Sequence, residues 1–532
     1  MENLLVIYKE INKSDKYKGV VKVKKRKLLV TLGILALSLL AKADQEYKIT
    51  EKPTEVSILA ILNGKVFDEK WAVFQEAFKD TNIKLKSAGS KNISDELQAF
   101  NLAIASGELP EIISLAYTEK IEDLGIEGGM LPLNELIDKH APNIKAFFEK
   151  YPRYRKDAVA ADGNIYFIPT YYDWYKMKAS QGLFIRKDWL DKLNLAVPDT
   201  MEDYYKVLKA FKTQDPNGNG LNDEIPYFER TIEFAESELI GLFGASTGFY
   251  VENGKVKFGP QEERFKEAIK EVSKWYAEGL IDQEIFTRGF QARDYMLRNN
   301  LGGTTFDWFA STTSYNKDKA LKEKVGNFEF VPIAPPLYKG KRYAPDARPT
   351  NNGGWGITVA AKDPVAIIKY FDYWFSEKGY ELINWGIEGD TFERDANGNK
   401  YFTDKVLKNA KETPLEVLRD KGAQFRIGMI QDYEYEKAWG DAEAIKAMEW
   451  YTKEGFIVEP MPKIKYTAAE NKRMQKIKGQ IEMVVREMCQ KWILGSEDFD
   501  TTYDSFIKRL DTLGLKEALE INQKAYDRFE QN

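Results

Sequence analysis

From Val56 onward, short β-branched apolar runs alternate with segments of helical period, and that alternation restricts the chain to strand and helix layers more tightly than any other feature. Residues 56–62 form an apolar run ending at Asn63-Gly64, which reads as a strand feeding a loop. In 68–78, Trp71, Phe74, Ala77 and Phe78 recur at helical spacing. Residues 83–85 read as a strand, 95–105 as a helix stopped by Ser106-Gly107, and 112–115 as the next strand. This alternation predicts an α/β lobe with a largely parallel sheet. At 532 residues the chain exceeds what one core supports, so two lobes are expected.

One stretch has a chemical pattern of its own. In DPNGNGLNDE, oxygen side chains stand at Asp215, Asn217, Asn219 and Asp223, with Glu224 beside the last and glycines at 218 and 220. Alternate residues of such a loop point inward, Leu221 can offer its carbonyl, and the glycines permit the tight curl, so the pattern suits a hard cation, Ca2+ in particular. The match to an EF-hand stops at its twelfth position, where Pro226 stands instead of a bidentate glutamate. Glu224 would have to complete the shell. The competing reading is a solvated Asn-Gly turn that holds no ion. Thr200 is placed to N-cap the preceding helix, with Asp203 three residues on and Tyr204, Val207, Leu208 and Phe211 on one apolar face. A cation in the loop would then pin that helix's C-terminal end and serve structure rather than catalysis.

The N-terminus reads as an export signal. Lys22 and residues 24–27 form a basic run, 28–41 is apolar, and Ala41-Lys42-Ala43 has the small-x-small cleavage pattern. The apolar stretch is shorter than the about 20 residues a membrane span needs. No cysteine follows it, so there is no lipobox, and a free periplasmic protein starting near Asp44 is expected. The hydrophilic lead 1–21 is long for a signal and is consistent with an over-extended start. Cys489 is the single cysteine, which excludes an intrachain disulfide. Removing residues 1–43 takes away ten Lys/Arg and three Asp/Glu and leaves a net charge of −12. That balance argues against a nucleic-acid partner.

Several segments carry a family resemblance. SGELPEII (Ser106 to Ile113), GMLPLNELIDKHAPN (Gly129 to Asn143), DGNIYFIPTYYDW (Asp162 to Trp174) and GLFIRKDWLDKLNLAVPDT (Gly182 to Thr200) resemble segments of extracellular solute-binding proteins of ABC importers. GGWGITVAAKDP (Gly353 to Pro364), NWGIEGDTF (Asn384 to Phe392) and AYDRF (Ala525 to Phe529) are also similar, so the resemblance spans nearly the whole mature chain. It is closest to the oligosaccharide-binding subgroup that includes alginate-binding proteins, in which residues matching Asp215, Asn217, Asn219, Leu221, Asp223 and Glu224 by type and spacing are calcium ligands. The resemblance implies a two-lobe periplasmic-binding-protein fold of the α/β class, with several hinge crossings and a helix-rich C-terminal part. Its expected divisions are a first lobe from 44–171 and 356–415 and a second from 172–355 and 416–532. It further implies a monomer that binds an oligosaccharide and delivers it to the transmembrane subunits of an ABC importer.

Catalytic inventories are thin. Gly244-Ala245-Ser246-Thr247-Gly248 matches a nucleophile elbow, yet the single histidine, His140, precedes the serine, and the mechanism needs one after it. One histidine and one cysteine cannot build a usual zinc site. Glycosidase chemistry needs only two carboxylates, so a secreted carbohydrate-active enzyme, hydrolase or lyase, stands as the alternative. A calcium-dependent adhesin would call for repeats or an anchor, which the sequence lacks.

A cleft between lobes should present flat aromatics and a few fixed polar groups at crossings and strand ends. Aromatic residues make up 13% of the chain, and their faces suit the apolar C–H faces of pyranose rings. The candidates are Tyr172, Asp173 and Trp174 at the first crossing, Trp308 after its strand, Trp355 at the second crossing, and Trp385 with Glu388 near the third, with Asn63, at the end of the first strand, joining from the other lobe. Each has a plain core or rim role as its alternative. Arg230 could grip a carboxylate or sulfate bidentately, the competing reading being a surface ion pair with Glu229 or Glu233. This arginine and the alginate-type resemblance favour acidic oligosaccharides, uronate-containing or glycosaminoglycan-derived, over neutral ones.

Overall fold

The structure is a computed structural model that describes residues 47–62, 64–230, 235–345, 347–409, 412–425 and 427–532. The export-signal segment 1–43 and Asn63 lie outside the described residues. Two sheets organise the chain, each buried in its own hydrophobic core. The first, seven-stranded, runs in the order Met429–Gln431, Ile168–Tyr172, Asn351–Ile357, Ile112–Leu115, Thr54–Leu62, Lys65–Val66, with Ile83–Ser87 also paired to Thr54–Leu62. The second, four-stranded, runs Phe330–Ile333, Gln181–Arg186, Gly302–Trp308, Ile225–Tyr227.

The N-terminal third folds as its periodicity requires. Thr54–Leu62 is parallel to Ile83–Ser87 and to Ile112–Leu115, joined by helices Ala72–Thr81 and Glu96–Ser106. Val73, Phe74 and Ala77 bury one face of the first helix, and Asn82, at φ 62, ends it in the left-handed region. The expectation of a largely parallel sheet needs correction. Asn351–Ile357 inserts antiparallel to both Ile112–Leu115 and Ile168–Tyr172, so the sheet is mixed. Local sequence carries no signal for that, because the strand returns from the other lobe.

The expected lobe divisions also shift. Asn351–Ile357 already belongs to the first sheet ahead of position 356, and Met429–Gln431 still belongs to it beyond 416. The third return lies just after Gln431, where Tyr435 packs in the first core and Tyr433 in the second. From there the chain is helical, with Ala468–Leu494 N-capped by a Thr467/Glu470 capping box and closed by Gly495 at φ 71. Cys489 is fully buried on this helix, and burial pushes its thiol well up.

Candidate functional site

Three neighbouring cavities of about 850, 700 and 340 Å3 share walls, and the two smaller ones lie where the lobes meet. The first and second have Thr247, Phe249 and Met461 in common, and the first and third have Val251, Glu459 and Pro460. A larger cavity, about 1230 Å3, is a crevice of the second lobe between Arg186, Phe328 and Trp450. It borders only the second lobe and stands apart from the other three. The 850 Å3 cavity is lined by second-lobe residues and by the crossing at 345–349, but it opens into the two cavities that have first-lobe walls, at Glu119 and Glu122 in one and at Arg153 in the other, so the connected cleft is the better candidate site.

The strand Gly302–Trp308 builds the cleft's second-lobe wall. A Cβ on Gly302 would meet Phe228 at 2.5 Å, and one on Gly303 would meet Phe211 at 2.6 Å, so the two glycines let the strand sit tight on the core. At its C-terminal end Asp307 is buried and Trp308, 45% exposed, stands in the 850 Å3 cavity. Asp307 accepts hydrogen bonds from Arg230 Nε at 2.8 Å, Arg293 Nη1 at 3.0 Å and the backbone N–H of Trp308 at 2.7 Å. One buried carboxylate therefore fixes two guanidinium groups and the turn that presents the indole. Arg230 pairs with Asp307 rather than with Glu229, whose carboxylate accepts from the Arg230 backbone N–H.

Of the residues expected at the ligand, the structure brings Trp308 and Arg230 together in this cavity. The first-crossing residues Tyr172, Asp173 and Trp174 are held where the chain passes from the first sheet to the second. Tyr154 Oη donates to the Tyr172 carbonyl at 2.6 Å and accepts from the Trp174 N–H at 3.1 Å. Asn352 donates to Tyr172 Oη at 2.9 Å, and Asp173 pairs with Lys176 at 3.0 Å. Trp174 is buried. Two further expectations are corrected. Trp355 is fully buried, stacked on Phe371 at 4.1 Å, and Trp385 is buried against Phe402 with its Nε1 donating to Asp432 at 3.1 Å. A ligand cannot reach either ring. Glu388 is exposed beside Arg394, away from the cleft.

The cleft also holds residues that sequence reasoning missed. Arg264 donates to Tyr250 Oη at 2.9 Å and to Glu252 at 2.7 Å, on the hairpin Phe249–Glu252 and Lys255–Phe258. The Asn253-Gly254 turn between those strands, with Asn253 at φ 53, was the available signal. Phe290, 73% exposed, and Tyr343 add aromatic surface. Burial thus separates the tryptophans into two roles. Trp355→Ala should cost about 3–5 kcal/mol of stability, as expected for a large buried aromatic, whereas Trp308→Ala should stay within about 0.5 kcal/mol of wild type. Urea unfolding of the two variants checks this contrast.

The 215–224 loop follows the helix Met201–Thr213, whose N-terminus carries the Thr200/Asp203 capping box and whose Tyr204 Oη meets Thr304 Oγ1 at 3.0 Å. Asp215, at φ 45, turns the chain out of the helix, and Gly218 and Gly220 take φ 75 and 78. Asp215 accepts from the N–H groups of Gly218, Asn219 and Gly220 at 2.8–3.1 Å, which holds its carboxyl below the usual range against the opposing effect of desolvation. Asn217 and Asn219 each donate a side-chain N–H to Asp223. Leu221 is exposed, and its N–H donates to Asn219 Oδ1 at 2.7 Å.

Among the described residues no group of three or more His, Cys, Asp and Glu side chains is assembled as a metal shell. The donors nonetheless fit a hard cation. Glu224 is fully buried and its Oε2 has no hydrogen-bond partner. Burial, then the nearby charges of Asp215 and Asp223, push its carboxyl up. Three acids and two amides around one curl are what a dication would relieve.

With the geometry in place, the chain can be set beside known proteins. Residues 53–381 match the family described as bacterial extracellular solute-binding protein. The fructooligosaccharide ABC transporter substrate-binding protein FusA of Streptococcus pneumoniae serotype 4 is 28% identical over 492 residues, covering 86% of this chain and 87% of that protein. The polygalacturonan/rhamnogalacturonan-binding protein YtcQ of Bacillus subtilis is 23% identical, covering 90% of this chain and 92% of that one. The crystal structure of the alginate-binding protein AlgQ2 without calcium ion superposes with a TM-score of 0.71 at 39% identity, covering 90% of this chain and 99% of that one. Among the described residues no helix is long and apolar enough to cross a membrane.

Proposed function

The chain belongs to the bacterial extracellular solute-binding proteins as the substrate-binding component of an ABC transporter for oligosaccharides, and we propose that the ligands it captures are acidic, uronate-containing or glycosaminoglycan-derived fragments. The observation that carries this reading is the pairing, in the second-lobe part of the cleft, of the exposed Trp308 ring with the Arg230 guanidinium that Asp307 holds in place. The indole offers a flat face to a pyranose ring, and the outer edge of a fixed guanidinium suits a carboxylate. The relatives named for alginate and for polygalacturonan support the same ligand class.

Ligand bridging both lobes would favour the closed arrangement, and the affinity difference between open and closed states would drive the motion. No bond is made or broken. In this reading residues 1–43 direct export and are cleaved, the mature protein works as a free periplasmic monomer, and it passes its cargo to the membrane subunits of its importer. Ca2+, when bound, would supply charge neutralisation to Asp215, Asp223 and Glu224, with Asn217, Asn219 and the Leu221 carbonyl as further oxygen donors, and would tie the end of the helix Met201–Thr213.

A neutral oligosaccharide is the second reading, because Arg230 and Arg264 are already paired with Asp307 and Glu252. Arg230→Gln separates the two. With acidic ligands the affinity should fall about tenfold or more, as for loss of a charge-assisted contact. With a neutral ligand as the true cargo, calorimetry would show only a small change.

A further inference from the structure

The 340 Å3 chamber opens off the cleft at Val251, Glu459 and Pro460. Its first-lobe wall is Arg153, from the helix Pro152–Ala158. The Arg153 guanidinium carbon lies 4.4 Å from the centre of the Trp174 ring, and Lys178 Nζ lies 4.1 Å from the same ring. Both cations turn to one carboxylate. Lys178 Nζ donates to Glu459 Oε1 at 2.8 Å, while Arg153 Nη1 reaches Glu459 Oε2 only at 3.6 Å.

Arg153 is thus poorly satisfied. Its Nε is buried with no acceptor, a state that is costly for any donor and more so for a charged one. The neighbouring Lys156 does not share the deficit, since it donates to the Glu530 carbonyl at 2.8 Å and pairs with the Glu530 carboxylate at 3.3 Å. Two positive groups on one aromatic ring therefore share one carboxylate, and one of them, Arg153, lines with Glu459 the wall of a chamber large enough for a sugar substituent. Burial works against the charge on Glu459, yet Lys178 and then Arg153 hold its carboxyl below the usual range, as two cations competing for one anion should.

We propose that Arg153 in this chamber is a subsite for a carboxylate or sulfate group of the bound saccharide, and that Glu459 is the protein's own competitor for it. Glu459 then sets how strongly the cleft prefers an acidic sugar over an uncharged one. Trp174, expected from sequence to stack on ligand, acts one layer back by holding both cations in place. The proposal rests on the acidic-ligand reading, and its test separates the two.

Calorimetry of the full mature chain would compare oligouronides from alginate and from chondroitin with their carboxyl-reduced counterparts, and the quantity read is the ratio of acidic to reduced affinity. Glu459→Gln should raise the ratio about tenfold and Arg153→Gln lower it about tenfold, the scale of removing one close charge from a binding site. Arg153→Lys should recover part of the loss. Thermal melting identifies a variant that fails to fold, in which case Glu459→Gln and Arg153→Lys decide. A wild type that prefers acidic ligands while Glu459→Gln leaves the ratio within about twofold overturns the subsite and leaves the reading of the cleft standing. A wild type with no preference for the acidic series overturns both.

Discussion

Chelation with EDTA should lower the melting temperature of the purified protein by about 5–10 °C. An ion present at 100 times its dissociation constant contributes about 2.7 kcal/mol to the native state, and about 2–4 °C of melting temperature accompanies each kcal/mol in domains of 150–250 residues. The gain arises because the native loop stacks acids that repel one another. Glu224 is fully buried with one oxygen lacking a donor, and its carboxyl is pushed up by burial and by Asp215 and Asp223. Asp215→Ala should be destabilised even without an ion, because the Gly220 N–H loses its acceptor and the N–H groups of Gly218 and Asn219 each lose one of two. It should also lose its response to EDTA, as should Asp223→Ala. Both should retain oligosaccharide binding, since neither residue lines the cleft cavities. A wild-type melting temperature that EDTA leaves unchanged would remove Ca2+ from the account.

The largest effect on binding is expected from Trp308→Ala. The ring stands in the cleft beside Arg230 and Phe290, and truncation of an exposed aromatic anchor at the centre of a site commonly costs 2 kcal/mol or more, about thirtyfold in affinity. Because the side chain is 45% exposed, melting should barely change. A variant that binds as well as wild type would move the stacking platform elsewhere in the cleft. Trp308→Phe should recover part of the loss, because a smaller flat face remains.

Much of the fold was legible because period, caps and turns are local. The 112–115 run is the strand Ile112–Leu115, and the Thr200 cap is present. Sheet direction was not local, since Asn351–Ile357 comes back from another lobe. The site was less legible for a related reason. A tryptophan near a crossing has the same hydropathy whether it fills a core or faces a sugar, and only packing separates Trp308 from Trp355 and Trp385. Asp307 and Arg153 escaped notice because their importance lies in what they touch. Asp307 gathers Arg230 and Arg293 from distant segments, and Arg153 meets Trp174 and Glu459 only after three parts of the chain converge on the first crossing.

The most direct test of the central claim is calorimetric titration of the mature protein with acidic and neutral oligosaccharides, with the same mixtures assayed for new reducing ends and for ultraviolet absorption from unsaturated products. One bound oligosaccharide per chain, tighter for the acidic members, with neither kind of product, is the predicted result. Absence of binding across the panel, or accumulation of cleaved sugar, would contradict the assignment as an oligosaccharide-capturing transport protein.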